Sequence, residues 1–196
     1  MPFFKYLDEY SDITDVTFND RKRLGPMDKV SQLIMRGPSP FSSAEKEIFA
    51  AFVSGLNECN FCYGSHTAVA KNFGISPDLI ASLLNNIDTS EIDEKLKPIL
   101  HYLKKLTLTP SRLVQADAEK VYQAGWSEQA LYDAICICCL FNFYNRLLDG
   151  HGIKGNDNIY QLGGQHLYKN GYGVPWFIGF IKKSIRKSKV AKLKSM

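Results

Sequence analysis

The stretch 42–73 leaves this chain few choices of fold. Ser42 followed three residues later by Glu45 has the form of a capping box, in which each side chain satisfies a backbone N–H at a helix start. Ile48, Phe49, Phe52, Val53 and Leu56 then recur at helical spacing, so one face of that helix must be buried. The polar run 57–60 reads as a turn. Beyond it Cys59, Cys62 and His66 stand three and four residues apart. On a helix beginning near Cys59 that spacing lines them along one face, with Cβ atoms about 5–6 Å apart. If the second helix folds back antiparallel, Glu47 lies roughly 15 Å from the turn and His66 roughly 9 Å from it, at about 1.5 Å per residue. The two are then within a turn or two of the same level on facing helices.

These residue types in this order point to thiol chemistry. Cys59 sits at or near the helix start, where unpaired N–H groups and the helix dipole favour an anion. Helix starts and Cys-x-x-Cys spacings both lower thiol pKa and so favour the reactive thiolate. Sulfurs three residues apart fall within the Cα separation of roughly 4.4–6.8 Å that a disulfide requires. His66, with an ordinary pKa of about 6.5, can take the proton that Cys62 loses. Glu47 lies beside Ile48 and Phe49 with no local partner. A buried carboxylate must be paired or hydrogen-bonded, so His66 or Cys62 is its expected partner. The residues therefore suggest a redox-active dithiol, Cys59 and Cys62, served by His66 and Glu47. Three other readings remain open. The same four residues offer S, N and O donors to zinc. The cysteines alone suit a structural disulfide. A thioredoxin-type site would need a βαβ setting, which a helical pattern does not supply.

Glutamate, eleven residues, cysteine, two residues, cysteine, three residues, histidine resembles the active-site signature of the AhpD-like alkylhydroperoxidases, of the carboxymuconolactone decarboxylase superfamily. Glu47, Cys59, Cys62 and His66 match it without gap or substitution. The runs 53–57 and 141–146 also resemble an uncharacterised peroxidase-related branch, and the likeness spans about residues 20–180. It implies an all-α, AhpD-like domain with the Cys-x-x-Cys at a helix N-terminus. By resemblance, Cys62 attacks the peroxide and Cys59, expected to be the more accessible, resolves the sulfenic acid. His66 and Glu47 move protons, and an external thiol protein or small dithiol restores the pair. No flavin, haem or metal is implied, and a homo-oligomer of trimers or their multiples is. Some relatives carry a further histidine between the two cysteines; Asn60 and Phe61 stand there in this chain, so no relay role carries over to that position. A lactone decarboxylase or isomerase, as in the superfamily's namesake, is the other enzymatic reading, and a redox- or zinc-sensing protein the non-enzymatic one.

The rest of the chain supports one helical domain with extensions. Residues 1–40 read as a wrapping arm with one short helix over 26–35, where Val30, Leu33 and Ile34 are helically spaced. The domain proper takes 41–175. Gly74 suits the residue just past a helix end. Ser76-Pro77 opens the next helix. Further helices are expected over 91–106, from Thr109-Pro110 to near Gly125, and from Ser127 to 149. The last is apolar nearly all round, as buried central helices are. It holds Cys136, Cys138 and Cys139, which read as small hydrophobes, and Asn142 and Arg146, which read as bonding to loops. His101, His151 and His166 stand in no catalytic or metal-binding spacing and read as packed or surface histidines.

The segment 176–196 holds seven basic residues and no acid against a net charge of +4, so the remainder of the chain is net acidic. It reads as a basic helix or tail whose loss after Ile181 should leave turnover unchanged. No apolar run approaches the ~18–20 residues of a membrane span, and no basic patch interleaved with aromatic residues suggests nucleic acid. Acids among the first nine residues disfavour a signal peptide, and five cysteines, an odd number, fit a reducing compartment. A cytoplasmic location is expected.

Overall fold

A computed structural model describes residues 1–173 together with Ser184, Ile185, Ser188, Ala191 and Lys192. The fold is all-α, with no strand among the described residues. Three helices precede the central hairpin: α1 (Ile13–Asn19), α2 (Arg21–Leu24) and α3 (Pro26–Arg36). The hairpin is α4 (Ser43–Leu56) and α5 (Asn60–Asn72). Then follow α6 (Pro77–Asn85), α7 (Lys97–Leu108), α8 (Gln115–Gln123), α9 (Glu128–Gly150) and α10 (Asp157–Asn170).

The hairpin forms as its caps dictate. Ser42 Oγ accepts from the Glu45 N–H at 3.2 Å, and Glu45 Oε2 accepts from the Ser42 N–H at 2.7 Å. At the other end Glu58 N–H reaches the Gly55 carbonyl and Cys59 N–H reaches the Ser54 carbonyl, both at 3.0 Å. These are the two bonds of a Schellman motif, which places Glu58 at the left-handed position, with φ 56°. That turn reverses the chain and delivers Cys59 as the N-cap of α5.

The buried central helix is α4, not α9. Nine consecutive residues of α4, from Lys46 to Ser54, are buried, and α5, α6, α7 and α9 pack around it. Phe49, Phe52, Leu103, Ile137 and Phe141 are among the apolar side chains that meet there. Helix α9 instead keeps Tyr132, Cys139 and Phe143 on an exposed face, so its nearly uniform apolar sequence does not enclose it.

Three differences from the sequence reading concern secondary structure. The first 40 residues form three helices rather than one, α1 beginning at a capping box of Asp12 and Asp15. In α3 two of the three expected apolar positions face out: Val30 is 39% and Leu33 60% exposed, while Ile34 packs on the core and Ser31 and Met35 are buried. Polar anchors decide that rotation. Ser31 Oγ lies 2.7 Å from Tyr144 Oη, and Lys46 Nζ donates to the Ile34 and Gly37 carbonyls at 3.1 and 2.9 Å. The helix expected over 91–106 starts later, after a 3₁₀ turn at Glu94–Leu96, because Pro98 lacks an N–H and fits only a helix's first turn.

Helix α10 was not anticipated at all. It lies along α5 at close range, and glycine makes this possible. A Cβ on Gly164 would stand 2.9 Å from the Ala68 backbone, a distance side chains do not tolerate. Its C-terminal end carries the chain to Tyr172. Most of the basic segment 176–196 lies outside the described residues.

Candidate functional site

Glu47 of α4 is fully enclosed, and both of its oxygens are occupied. Oε2 lies 2.8 Å from His66 Nδ1 on the facing helix α5. Oε1 accepts from Arg36 Nη2 at 2.6 Å and from the Tyr172 hydroxyl at 2.8 Å. Burial alone would push the Glu47 carboxyl up, but the hydrogen bond and charge of His66, then those of Arg36, hold it below the ordinary value. It is therefore an anion at neutral pH. Burial and the Glu47 charge raise Tyr172 well above the usual phenol value, so its hydroxyl stays protonated and donates.

Arg36 and Tyr172 escaped the sequence reading. Arg36 ends α3 and also donates to the Leu167 carbonyl at 3.3 Å, with its guanidinium over the Phe73 and Tyr172 rings. Tyr172 follows α10. Neither has a fixed sequence distance from Glu47; only the packing of α3 and α10 on the hairpin brings them in.

The dithiol occupies a second apolar cluster with Leu7, Val16, Phe61 and Leu148. Both cysteines are free thiols. Cys59 is 0% and Cys62 3% exposed, and Cys62 alone borders the site cavity. The expectation that Cys59 is the more accessible thiol is thus reversed. The N-cap position encloses Cys59 beneath the α4–α5 corner, while Cys62, one turn on, faces the opening.

The expected lowering of thiol pKa also fails at Cys62. Burial, then the neighbouring Cys59 thiol, raise it well above the ordinary thiol value, against an opposing hydrogen bond from Asn145. Desolvation outweighs the helix-start effect because the sulfur is removed from water. At rest Cys62 is a thiol, and a base must take its proton as it reacts. His66 stands one turn along the same face and borders the same cavity. With Nδ1 held by Glu47, Nε2 is the ring nitrogen left to exchange that proton. The Phe141 ring meets the imidazole edge-on at 4.4 Å and fixes its plane.

The cavity measures about 340 Å³ and is walled chiefly by apolar side chains, among them Phe61, Phe141, Leu148 and Ile159. Asp12 and Asp28 also border it, and no lysine or arginine does among the described residues. His166 of α10, given no site role by its spacing in the sequence, borders this cavity. The other two have partners elsewhere, His101 at Asp88 (2.7 Å) and His151 at the Leu147 carbonyl (2.6 Å). Ile185 reaches the cavity as well, so cutting the chain after Ile181 removes a wall residue.

Asn142 and Arg146 bond the α4–α5 corner. Asn57 Nδ2 donates to Asn142 Oδ1 at 3.1 Å and to Asn145 Oδ1 at 2.8 Å. Cys138 is buried against Thr107, and burial pushes its thiol up to about 11. Among the described residues, no group of three or more His, Cys, Asp or Glu side chains converges as metal ligands. No described helix is long and apolar enough to cross a membrane.

Comparisons with known proteins agree with this architecture. Residues 26–100 match the model of the carboxymuconolactone decarboxylase family, a segment that includes Arg36, Glu47, both cysteines and His66. A comparison with curated proteins gives no match. A crystal structure of an uncharacterized peroxidase-related protein from Silicibacter sp. TM1040 superposes with a TM-score of 0.70 at 22% identity, covering 76% of this chain and 78% of that one. A second, described as an alkylhydroperoxidase AhpD core from Ralstonia eutropha JMP134, gives 0.69 at 18% identity with the same coverage. The family model is thus matched through the hairpin that carries the candidate site, and the all-α fold is shared with both solved structures.

Proposed function

We propose that this protein is a thiol-dependent peroxidase acting on neutral, apolar organic hydroperoxides. The observation that carries this reading is the placement of Cys62 and the Glu47-bound His66 on one largely apolar cavity. As the Cys62 sulfur attacks the peroxide O–O bond, His66 takes its proton through Nε2. The imidazolium is steadied by Glu47, and the proton passes to the leaving alkoxide, giving an alcohol and Cys62 sulfenic acid. General acid–base help of this kind is typically worth about 10²–10⁴-fold. Cys59 then condenses with the sulfenic acid to a disulfide and water, the ordinary reversible path for a thiol with a resolving partner. An external dithiol reduces the disulfide, and the protein itself supplies no cofactor to the cycle. The homo-oligomer and cytoplasmic setting remain expectations of the resemblance and of the cysteine usage.

The decarboxylase reading is less well served. A lactone dicarboxylate needs cations, yet the described cavity residues include two acids and no lysine or arginine. Arg36, the nearby cation, is taken up by Glu47.

Stopped-flow mixing of reduced protein with cumene hydroperoxide, followed by mass mapping, tests the proposal. A saturable reaction ending in a Cys59–Cys62 disulfide is expected. Absence of that disulfide, with turnover of a carboxylated lactone instead, would overturn it.

A further inference from the structure

Every buried serine and threonine among the described residues has its hydroxyl hydrogen-bonded, except Ser65. A serine inside a helix can turn its hydroxyl back on a carbonyl of the preceding turn. Ser31 does so at the Met27 carbonyl, 2.7 Å away, and Ser82 at the Leu79 carbonyl, 2.8 Å away. Ser65 lies in the middle of α5, is 9% exposed, and makes no such bond. It borders the apolar cavity that Cys62 and His66 share. Neighbouring polar groups on that wall are occupied: Thr14 on Asp12, Ser31 on Met27 and Tyr144, Tyr172 and His66 Nδ1 on Glu47. Thr67, half-buried on the same helix, has an unbonded hydroxyl too, but it borders no part of this cavity. By helix geometry Ser65 falls about 60° to one side of Cys62 and His66 about 40° to the other, each one turn further along α5. The Cys62 sulfur therefore opens into the cavity between an imidazole and a hydroxyl. A buried hydroxyl with no partner is a net cost to a fold. A ligand in the cavity can supply the partner that the protein does not.

We propose that Ser65 recognises the hydroperoxyl group: its oxygen accepts the O–H of the bound hydroperoxide and so sets the terminal oxygen against the Cys62 sulfur. This role rests on the peroxidase reading and says how that site selects its substrate. A serine hydroxyl offers two lone pairs to an incoming donor. The O–H is the one donor that an otherwise hydrocarbon hydroperoxide brings. Ser65 Oγ and His66 Nε2 divide the peroxide between them, the serine holding the terminal oxygen and the imidazole serving the inner one. The sulfur lone pair attacks the terminal oxygen, the O–O bond breaks, and its electron pair leaves with the inner oxygen. The proton that Cys62 gave to His66 goes to that alkoxide, which departs as the alcohol. The terminal oxygen stays on sulfur as the sulfenic acid, its own hydrogen still donated to Ser65. The serine neither gains nor loses a proton; its contribution is position. A dialkyl peroxide brings no O–H, so the same hydroxyl discriminates against it.

The test compares two electrophiles on the full-length reduced protein: cumene hydroperoxide, and methyl methanethiosulfonate, which carries no O–H or N–H. Loss of free Cys62 is followed for each by rapid quenching and mass mapping. Ser65→Ala should slow the peroxide reaction about tenfold, the upper end of what one neutral hydrogen bond contributes. The loss should lie in a higher saturation constant, with the limiting rate little changed. Reaction of the same variant with the thiosulfonate should match the parent. Ser65→Thr, which keeps the hydroxyl, should recover the peroxide rate. Because Ser65→Ala breaks no hydrogen bond within the protein, it should unfold at the parent's urea concentration or above. An unchanged peroxide rate in Ser65→Ala overturns the proposal. So does equal slowing with both electrophiles, which would mean that the hydroxyl acts on the thiol rather than on the peroxide. A lower urea midpoint also overturns it, since the hydroxyl would then have a structural partner. If the parent itself forms no Cys59–Cys62 disulfide with cumene hydroperoxide, the peroxidase reading falls and this role with it. A parent that reacts and a Ser65→Ala variant that matches it reject the role of Ser65 alone.

Discussion

Arg36 and Tyr172, 136 residues apart in the chain, meet on the same atom, Glu47 Oε1, at 2.6 and 2.8 Å. The carboxylate is thereby a structural hub as well as a proton partner for His66. From the residues alone, Glu47→Gln is expected to slow thiol chemistry without unfolding the protein. The Arg36 pair adds a stability cost to that expectation. Removing one partner of a buried ion pair typically costs about 3–5 kcal/mol, because the other charge is left uncompensated. Glu47→Gln should lower the urea midpoint accordingly and slow Cys62 oxidation in the fraction that folds. An unchanged midpoint would show that Arg36 finds another partner.

Tyr172→Phe separates the two roles. It deletes one donor to Glu47 and leaves the Arg36 pair whole, so stability should fall by only about 0.5–1.5 kcal/mol. With one hydrogen bond fewer on Oε1, the Glu47 carboxyl should protonate more readily, and the acid limb of the peroxide reaction should move to higher pH. Rate–pH profiles of parent and variant check this; coincident acid limbs would assign Tyr172 to packing alone.

Stability should decline at both pH extremes for identifiable reasons. Glu47 is held below its unfolded value, so its contribution is present above the ordinary carboxylate range and is lost as pH falls through its folded value. Cys62 and Cys138 are raised, Cys138 to about 11. Their unfolded forms ionise first, so stability is full below the ordinary thiol value and falls as pH rises above it. Thermal midpoints across the pH range, with Cys138→Ala to remove one alkaline contribution, measure both limbs.

Gly164→Ala should cost roughly 1–3 kcal/mol as overpacking, since the new methyl would meet the Ala68 backbone rather than a movable side chain. Glu58→Gly should do the reverse and stabilise by about 1 kcal/mol, because a residue with a Cβ is held left-handed there. Chemical denaturation of the two variants tests both signs.

Where local rules applied, the sequence could be read. The capping box, the hairpin turn and the Glu47–His66 approach all follow from residues within one hairpin. What failed depended on packing between distant segments. Helix α10 was invisible because Gly163 and Gly164 sit at its middle and read as breakers, whereas Gly164 there allows close approach to α5. Its one usable signal was Asn156, whose side chain accepts from the Ile159 N–H as an N-cap. The apolar run of α9 misled for the converse reason: Tyr132, Cys139 and Phe143 have the composition of a core but stay exposed among the described residues. Cys62 shows the same limit in its chemistry. A helix start lowers a thiol pKa only when water or a cation is at hand, and burial is a tertiary fact.

Lys46 and Glu47 are consecutive, and between them they hold both ends of a single relationship. Lys46 takes the terminal carbonyls of α3, and Glu47 takes the arginine that α3 carries. Docking of the N-terminal helices and ionisation of the buried acid are therefore one event. A chain in which α3 peels away would leave a carboxylate in an apolar interior with a guanidinium lost to solvent. That acid would then take up a proton, and His66 would lose the anion that steadies its charge. Detachment of the N-terminal segment should thus silence the thiols some distance from where it occurs, without moving either sulfur.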